Sequence, residues 1–529
     1  MKTYLSLLFS AFISAVIFGC GGSGGTSAPA PQTTSVSGVV LAGPAAGTTV
    51  IVKTAAGTEV ARTAAPTDVN GAFTVAIPTS ALSSDLIFEA SGGSFTDEAT
   101  ATTGVALGTF TAHVAAGTLA AGGNVTIDPS STIIQKLVAG GRTRTAAFSA
   151  FSSAFGYKPN PAIKPAFANQ SSAAVPAERL AGLKVAAFSQ LTKDFGLAPA
   201  QQSELLQALA EDLADGVLDG RHNGTVVTTA SGTAIPEDAG NCFVQSQVTF
   251  VTGTNNKTGL TIDKIEALPF NTVALTSSYK VEYVPGAMAA AQGKTSFRIR
   301  VSNPDGTPAT GKIITLIPTM YMASMSHAAP VDAVVESAVP GTYDCTVYYL
   351  MASGPGMGVW ELKVKIGTET VVFYPSVAMS MGSTSRATLK GNADLIAGMM
   401  GMGTAKRTYY LFNEGLSNGT FTLFIAAQDD AMMMTFAPVF PGSTLHDQTG
   451  AAVAVSAMTV ELSTDKATWI AATDSGNGHW SAAGLTLPAS GGHLYARVTV
   501  NGEQKTTDGS AATATNGVAD FTIAATGGM

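Results

Sequence analysis

The chain has 529 residues, a net charge of −8 and only 12% Asp, Glu, Lys and Arg. That length exceeds what one hydrophobic core fills, so three or four domains are expected. The charged share is about half the usual one and contains no basic run, which argues against nucleic acid as a partner.

Lys2 gives a short positive start, and Tyr4 to Phe18 is an almost unbroken apolar run. The run is too short to remain as a bilayer span and has the layout of a signal peptide. Ile17-Phe18-Gly19-Cys20 places a Cys directly behind a small residue and resembles the lipobox of bacterial lipoproteins. The resemblance implies removal of residues 1–19, a lipid on Cys20 and the membrane as a partner held through that lipid. Gly21 is not the Asp that retains such lipoproteins at the inner membrane, so the outer membrane is implied, with either leaflet open. Residues 20–35, rich in Gly, Ser, Pro and Thr, read as a flexible stalk.

From Val36 the pattern changes to short β segments at Ser37-Val40, Thr49-Thr54, Ala72-Ile77 and Leu86-Ala90, with an Asn70-Gly71 turn signal. Residues 36–127 resemble the carboxypeptidase-regulatory-like β-sandwich modules of bacterial surface proteins, which implies a spacer. Asp128-Pro129-Ser130-Ser131 then opens a helical region over 128–222, because Asp and Ser cap helix starts and Ile133, Ile134, Leu137 and Val138 share one helical face. Asp212, Asp215 and Asp219 do not have the spacing of a calcium loop and are expected at a solvated helix end. Residues 223–289 read as a connecting β region, with a hairpin from Gln245 to Glu266 around Asn255-Asn256.

Residues 290–378 are β again, with strands at 297–301, 312–317, 333–337, 342–350 and 359–366. Alternating strand direction puts the loops 318–331 and 351–358 at the same end of one sandwich. Residues 379–407 read as a Gly/Met-rich linker, and 408–529 as a last β-sandwich. The expected fold is mainly β and multidomain, with Ig-like or transthyretin-like sandwiches and one inserted helical region.

Methionine carries the chemical signal. None of the 17 lies between residues 2 and 287, whereas 13 fall between Met320 and Met434. Cores use Met sparingly, so such clustering points to thioethers as ligands. Met320, Met322, Met325 and His327 form Met-x-Met-x-x-Met-x-His on the first loop, and Met351 and Met357 lie on the second. A thioether has no proton to lose and forms no disulfide, so it holds Cu(I) where a thiolate would be oxidised. Met432, Met433 and Met434 are expected on a strand, in ordinary core packing. His446 and His479 are expected at the surface or in turns.

Pro318-Thr319-Met320-Tyr321-Met322, Met325-Ser326-His327, Pro340-Gly341-Thr342-Tyr343, Leu350-Met351 and Gly358-Val359-Trp360 resemble, in order, the FixH/YtkA-like β-sandwich family. The resemblance implies an Ig-like sandwich and a connection with copper handling outside the cytoplasm. Of the three cysteines, Cys242 and Cys345 remain once Cys20 is lipidated. A disulfide and two separate buried thiols both fit that pair. Zincin, c-type haem and P-loop motifs are absent from the sequence, so no enzyme is expected. The reading is a lipid-anchored Cu(I)-binding protein that sequesters copper or exchanges it with a periplasmic or surface copper-handling protein. The alternative is a structural or adhesive surface lipoprotein of β modules whose methionines only pack.

Overall fold

The computed structural model describes residues 32–119, 123–171, 173–265, 268–399 and 402–525. Cys20, the expected signal peptide and most of the expected stalk therefore lie outside the described residues. The protein is mainly β and multidomain; the described residues form three sandwiches in chain order, with five α-helices after the first.

The first sandwich packs one sheet of β1 (Thr33–Val40), β4 (Ala72–Pro78) and β7 (Asn124–Ile127). The facing sheet holds β2 (Thr49–Thr54), β3 (Glu59–Arg62), β5 (Leu86–Ser91) and β6 (Phe110–Val114). Alternation decides which side chains turn inward: in β4, Phe73, Val75 and Ile77 are buried while Thr74 and Ala76 face water. Gly71 forms the expected tight turn at φ +72°, where a Cβ would stand 2.3 Å from the Val40 carbonyl oxygen.

Asp128 opens α1 (Pro129–Ala139) as expected, through a reciprocal cap: its carboxylate accepts from the Ser131 N–H, and the Asp128 N–H donates to Ser131 Oγ. Helices α2 (Arg144–Phe155), α3 (Pro176–Asp194) and α4 (Gln202–Asp212) follow. Their apolar faces continue the core of the first sandwich, so residues from Val36 to Phe243 share one interior. Asp212 is not solvated: it is fully buried and accepts from the backbone N–H groups of Asp219, Gly220 and Arg221. Burial pushes its carboxyl up to about 6.

The expected hairpin from Gln245 to Glu266 is replaced by a helix, α5 (Ala239–Thr252). Phe243, Val244, Val248 and Val251 lie at helical spacing and are buried. The Phe243 ring meets Phe188 at 4.8 Å and Phe155 at 4.9 Å, so tertiary packing overrides the β preference of its valines. Asn256 closes the turn that follows by donating to Val251 and Leu260 carbonyls.

The second sandwich has one sheet with β8 (Lys280–Pro285), β9 (Gly293–Ser302) and β12 (Thr342–Tyr349). The other is ordered β11 (Ser326–Ala328), β10 (Ile314–Tyr321), β13 (Val359–Ile366) and β14 (Glu369–Phe373). Strand β10 continues past Pro318, where a loop was expected, because Pro318 pairs with Leu362 of β13 and the β11 ladder begins only at Thr319. A proline is tolerated where one neighbouring strand is missing.

Residues 386–397 are no linker. They form β15 (Arg386–Ala397), paired antiparallel with β16 (Thr404–Ser417) across a bulge. With β17 (Thr420–Gln428) and β19 (His479–Ala482) they make one sheet of the third sandwich. The facing sheet contains β18 (Met458–Ser463), β20 (Gly492–Val500) and β21 (Ala519–Ile523). Cys242 on α5 and Cys345 on β12 are both free thiols, so no disulfide joins them. Each sits in a different packing environment: Cys345 in the second sandwich's core, Cys242 beside the Asp238 carboxylate.

Candidate metal centre

Strand register assembles the site. Met320 on β10 stands opposite His327 on β11 and opposite Trp360 on β13. Directly paired residues share one sheet face, so the three side chains lie in a row. That face is the interior: Met320 is fully buried, His327 is 4% exposed and Trp360 1%. Met351 enters from the end of β12, and its carbonyl accepts the Trp360 indole N–H at 2.9 Å, which holds its backbone against the sheet.

The imidazole of His327 has a defined tautomer. Its Nδ1 lies 2.8 Å from the Ala328 carbonyl oxygen, an acceptor only, so Nδ1 carries the proton. Burial pushes the pKa below its ordinary 6.5, against the Ala328 hydrogen bond and with the positive charge of Arg386, which favours the neutral ring at neutral pH. The Nε2 lone pair therefore faces the Met351 Sδ, 3.4 Å away. Two lone pairs at that distance form no hydrogen bond. They do match two donors on one ion, because bonds of about 2.0 Å to nitrogen and about 2.3 Å to sulfur span this separation at a near-tetrahedral angle. The edge of Trp360 closes the site on one side, with ring centroids 5.3 Å from His327 and 4.9 Å from Tyr349.

Two further methionines reach the same end of the sandwich. Gly358 has φ +143°, and a Cβ there would stand 2.4 Å from the Tyr321 carbonyl oxygen, 3.0 Å from Met320 Cε and 3.2 Å from Met322 Cγ. Only glycine lets the 351–358 loop close over both thioether chains. Met357 folds back over its own loop, with its Cε 3.5 Å from where a Gly354 Cβ would be. Met322, Met351 and Met357 are each half-buried against the core. Met325 is the outlier: its carbonyl accepts from the Met322 N–H at the β10–β11 turn, and its residue is 44% exposed.

The fold thus brings together Met320, His327 and Met351, sets Met322 and Met357 at the rim and leaves Met325 at the turn tip. Met320 itself sits on a strand inside the core rather than on a loop. Among the described residues no group of three or more His, Cys, Asp and Glu is placed to hold a metal. The donor set here is soft, thioether with one imidazole, and suits Cu(I) better than ions that favour carboxylate.

The third sandwich supplies parts that sequence reasoning missed. Met432, Met433 and Met434 lie in a turn, not a strand, with Met433 at φ +57°. The Met433 carbonyl accepts from the Ala328 N–H at 2.8 Å, next to the His327 anchor. His479, expected at the surface or in a turn, directly follows the Asn477-Gly478 turn, is only 24% exposed and lies between Glu414 at 2.9 Å and Asp332 of the second sandwich at 3.0 Å. The hydrogen bond to Asp332, then that to Glu414, raises its pKa to about 9. Burial works against ionisation of Glu414, yet His479 and Lys294 pull it down to about 2. These residues are 65 or more positions apart in pairs across the chain, so no local signal marks them. His446 is exposed and pairs with Asp429.

No protein-family model and no curated protein sequence matches the chain. Among solved structures, the Yersinia pseudotuberculosis adhesin InvE is 12% identical over 46% of this chain and 58% of its own, with a TM-score of 0.15. Surface layer protein SbsC, domains 4–9, is 14% identical over 48% of this chain and 32% of its own, with a TM-score of 0.16. A chimeric titin Z1Z2 is 8% identical over 48% of this chain and all of its own, with a TM-score of 0.13. The chain thus spans about three-fifths of the adhesin's length and a third of the surface-layer fragment's.

Proposed function

We propose that this chain is a membrane-tethered lipoprotein that binds Cu(I) at the end of its second sandwich, for sequestration or for delivery to a periplasmic or surface copper-handling protein. The observation that carries the reading is the neutral His327 Nε2 facing the Met351 thioether at 3.4 Å, with a backbone carbonyl fixing the tautomer. Carbonyl-anchored imidazoles are a recurrent device for orienting a metal ligand. His327 and Met351 would be the primary donors, Met320 and Met322 the additional thioethers, and Met325 an exposed sulfur at the entry. A lipid on Cys20 would supply the membrane attachment.

The test is an anaerobic titration of the chain from Gln32 onward, which holds all the cores described above, against a chromophoric Cu(I) chelator. Tight binding of one Cu(I), with Zn(II) at equal concentration unable to compete, is expected. Equal competition by Zn(II) would overturn the reading. The second reading, a structural or adhesive surface protein, draws its support from Met320, whose complete burial also suits a packing role.

A further inference from the structure

A cavity of about 480 Å³ opens between the first sandwich and the helical layer, walled by β6, β7 and the first three helices. It lies in a different part of the chain from the methionine site and is independent of it. Val125, Ile134, Phe148 and Leu180 give it an apolar body. Its charged side chains are mostly cationic: Arg144, Lys158 and Lys184 line it, against Asp128 as the one carboxyl among the described lining residues. Asp128 is already committed, since it accepts from the Ser131 N–H at 2.7 Å to cap α1.

Two atoms on this wall lack what such atoms require. The Arg144 Nε is buried with no acceptor, although its guanidinium lies 4.7 Å from the Phe148 ring centroid. The His113 side chain is 5% exposed and approaches Asp85 through Nε2 at 3.4 Å, while its Nδ1 is buried without a partner. Lys184, 5% exposed, has its ammonium 4.8 Å from the Tyr157 ring centroid. A buried guanidinium N–H with nothing to donate to is matched by a carboxylate, which takes charge-assisted hydrogen bonds from arginine. Volume and lining fall in the range of small-molecule sites.

We propose that this cavity binds a small amphipathic carboxylate, its apolar body between Val125, Ile134, Phe148 and Leu180 and its head group at Arg144. The site gives the protein a second ligand, unrelated to any metal.

Calorimetry on the chain from Gln32 onward tests this with decanoate and decyltrimethylammonium below their micellar concentrations, decanol below its solubility limit, and 2-naphthoate as the aryl alternative. Decanoate or 2-naphthoate should bind at least tenfold more tightly than decanol, and the cation should not bind. Arg144→Gln should weaken the carboxylates at least tenfold and leave decanol unchanged. Ala181→Trp, at a half-buried helix position on the wall, should remove binding of every probe. Circular dichroism checks its fold, and if it does not fold Arg144→Gln decides alone. Equal binding of decanoate and decanol, binding of the cation, unchanged carboxylate affinity in Arg144→Gln, or no heat with either carboxylate would each overturn the proposal.

Discussion

Replacing Met351 by Leu separates a ligand from a packing residue. The two side chains have nearly the same volume, and the Trp360 indole bonds to the Met351 carbonyl, which the substitution leaves in place. His327 Nδ1–H already donates to Ala328, so Nε2 presents a lone pair and loses no hydrogen bond when the sulfur disappears. The metal-free protein should therefore lose less than about 1.5 kcal/mol, the usual ceiling for a volume-conserving swap. Cu(I) affinity should fall at least tenfold, equivalent to about 1.4 kcal/mol, because one of the primary donors is gone. Native-state hydrogen exchange of the β10 and β13 amides measures the first quantity without assuming two-state unfolding of a multidomain chain. Anaerobic competition with a Cu(I) chelator measures the second. The opposite pattern would refute the reasoning: unchanged Cu(I) affinity together with a loss beyond about 2 kcal/mol. A loss of that size is what an orphaned buried N–H costs, and would mean that Nε2 donates to the sulfur.

His479 joins the second and third sandwiches, and its contribution should depend on pH. Its pKa is raised from 6.5 to about 9, so the stabilisation is complete below about pH 6.5 and lost as pH rises through 9; that of Glu414, lowered to about 2, is complete above about 4.5 and lost as pH falls through 2. Between these limits His479→Gln should cost about 3 kcal/mol, and almost nothing at pH 10; an equal cost at pH 6 and pH 10, by denaturant unfolding of the third sandwich, would contradict the ion-pair account. Cys242 and Cys345 are free, and burial pushes the Cys345 thiol up to about 12. Alkylation should be slow in the native protein and reach both thiols after unfolding without reductant, whereas intact mass showing no modification would reveal a disulfide. Cys20→Ala should abolish lipid attachment and leave the protein with an uncleaved signal or released from the membrane; unchanged detergent partitioning would remove the anchor from the functional reading.

Local pattern carried much of the architecture. Alternation marked strands such as β4 and β9, and the Asp128-Pro129-Ser130-Ser131 cap marked α1, because these signals rest on near neighbours and backbone geometry. The same logic failed where packing outweighed propensity. The valines of α5 read as strand until Phe155 and Phe188 are seen against Phe243, and 386–397 read as linker until β16 lies beside it.

The sequence by itself determined the mainly β, multidomain character and the concentration of methionine in one part of the chain. It also placed the two methionine loops at one sandwich end, since strand parity depends only on the count of reversals. Only the tertiary structure decided which sulfur faces which nitrogen. Met320 entered the core because β10 runs on past Pro318, and Met325 stayed outside because the turn needs its backbone. His327 and Met351 are 24 residues apart, and their approach to 3.4 Å depends on register between strands and on the loop that Gly358 allows to close. Such distances arise from long-range pairing, which no window of neighbouring residues encodes.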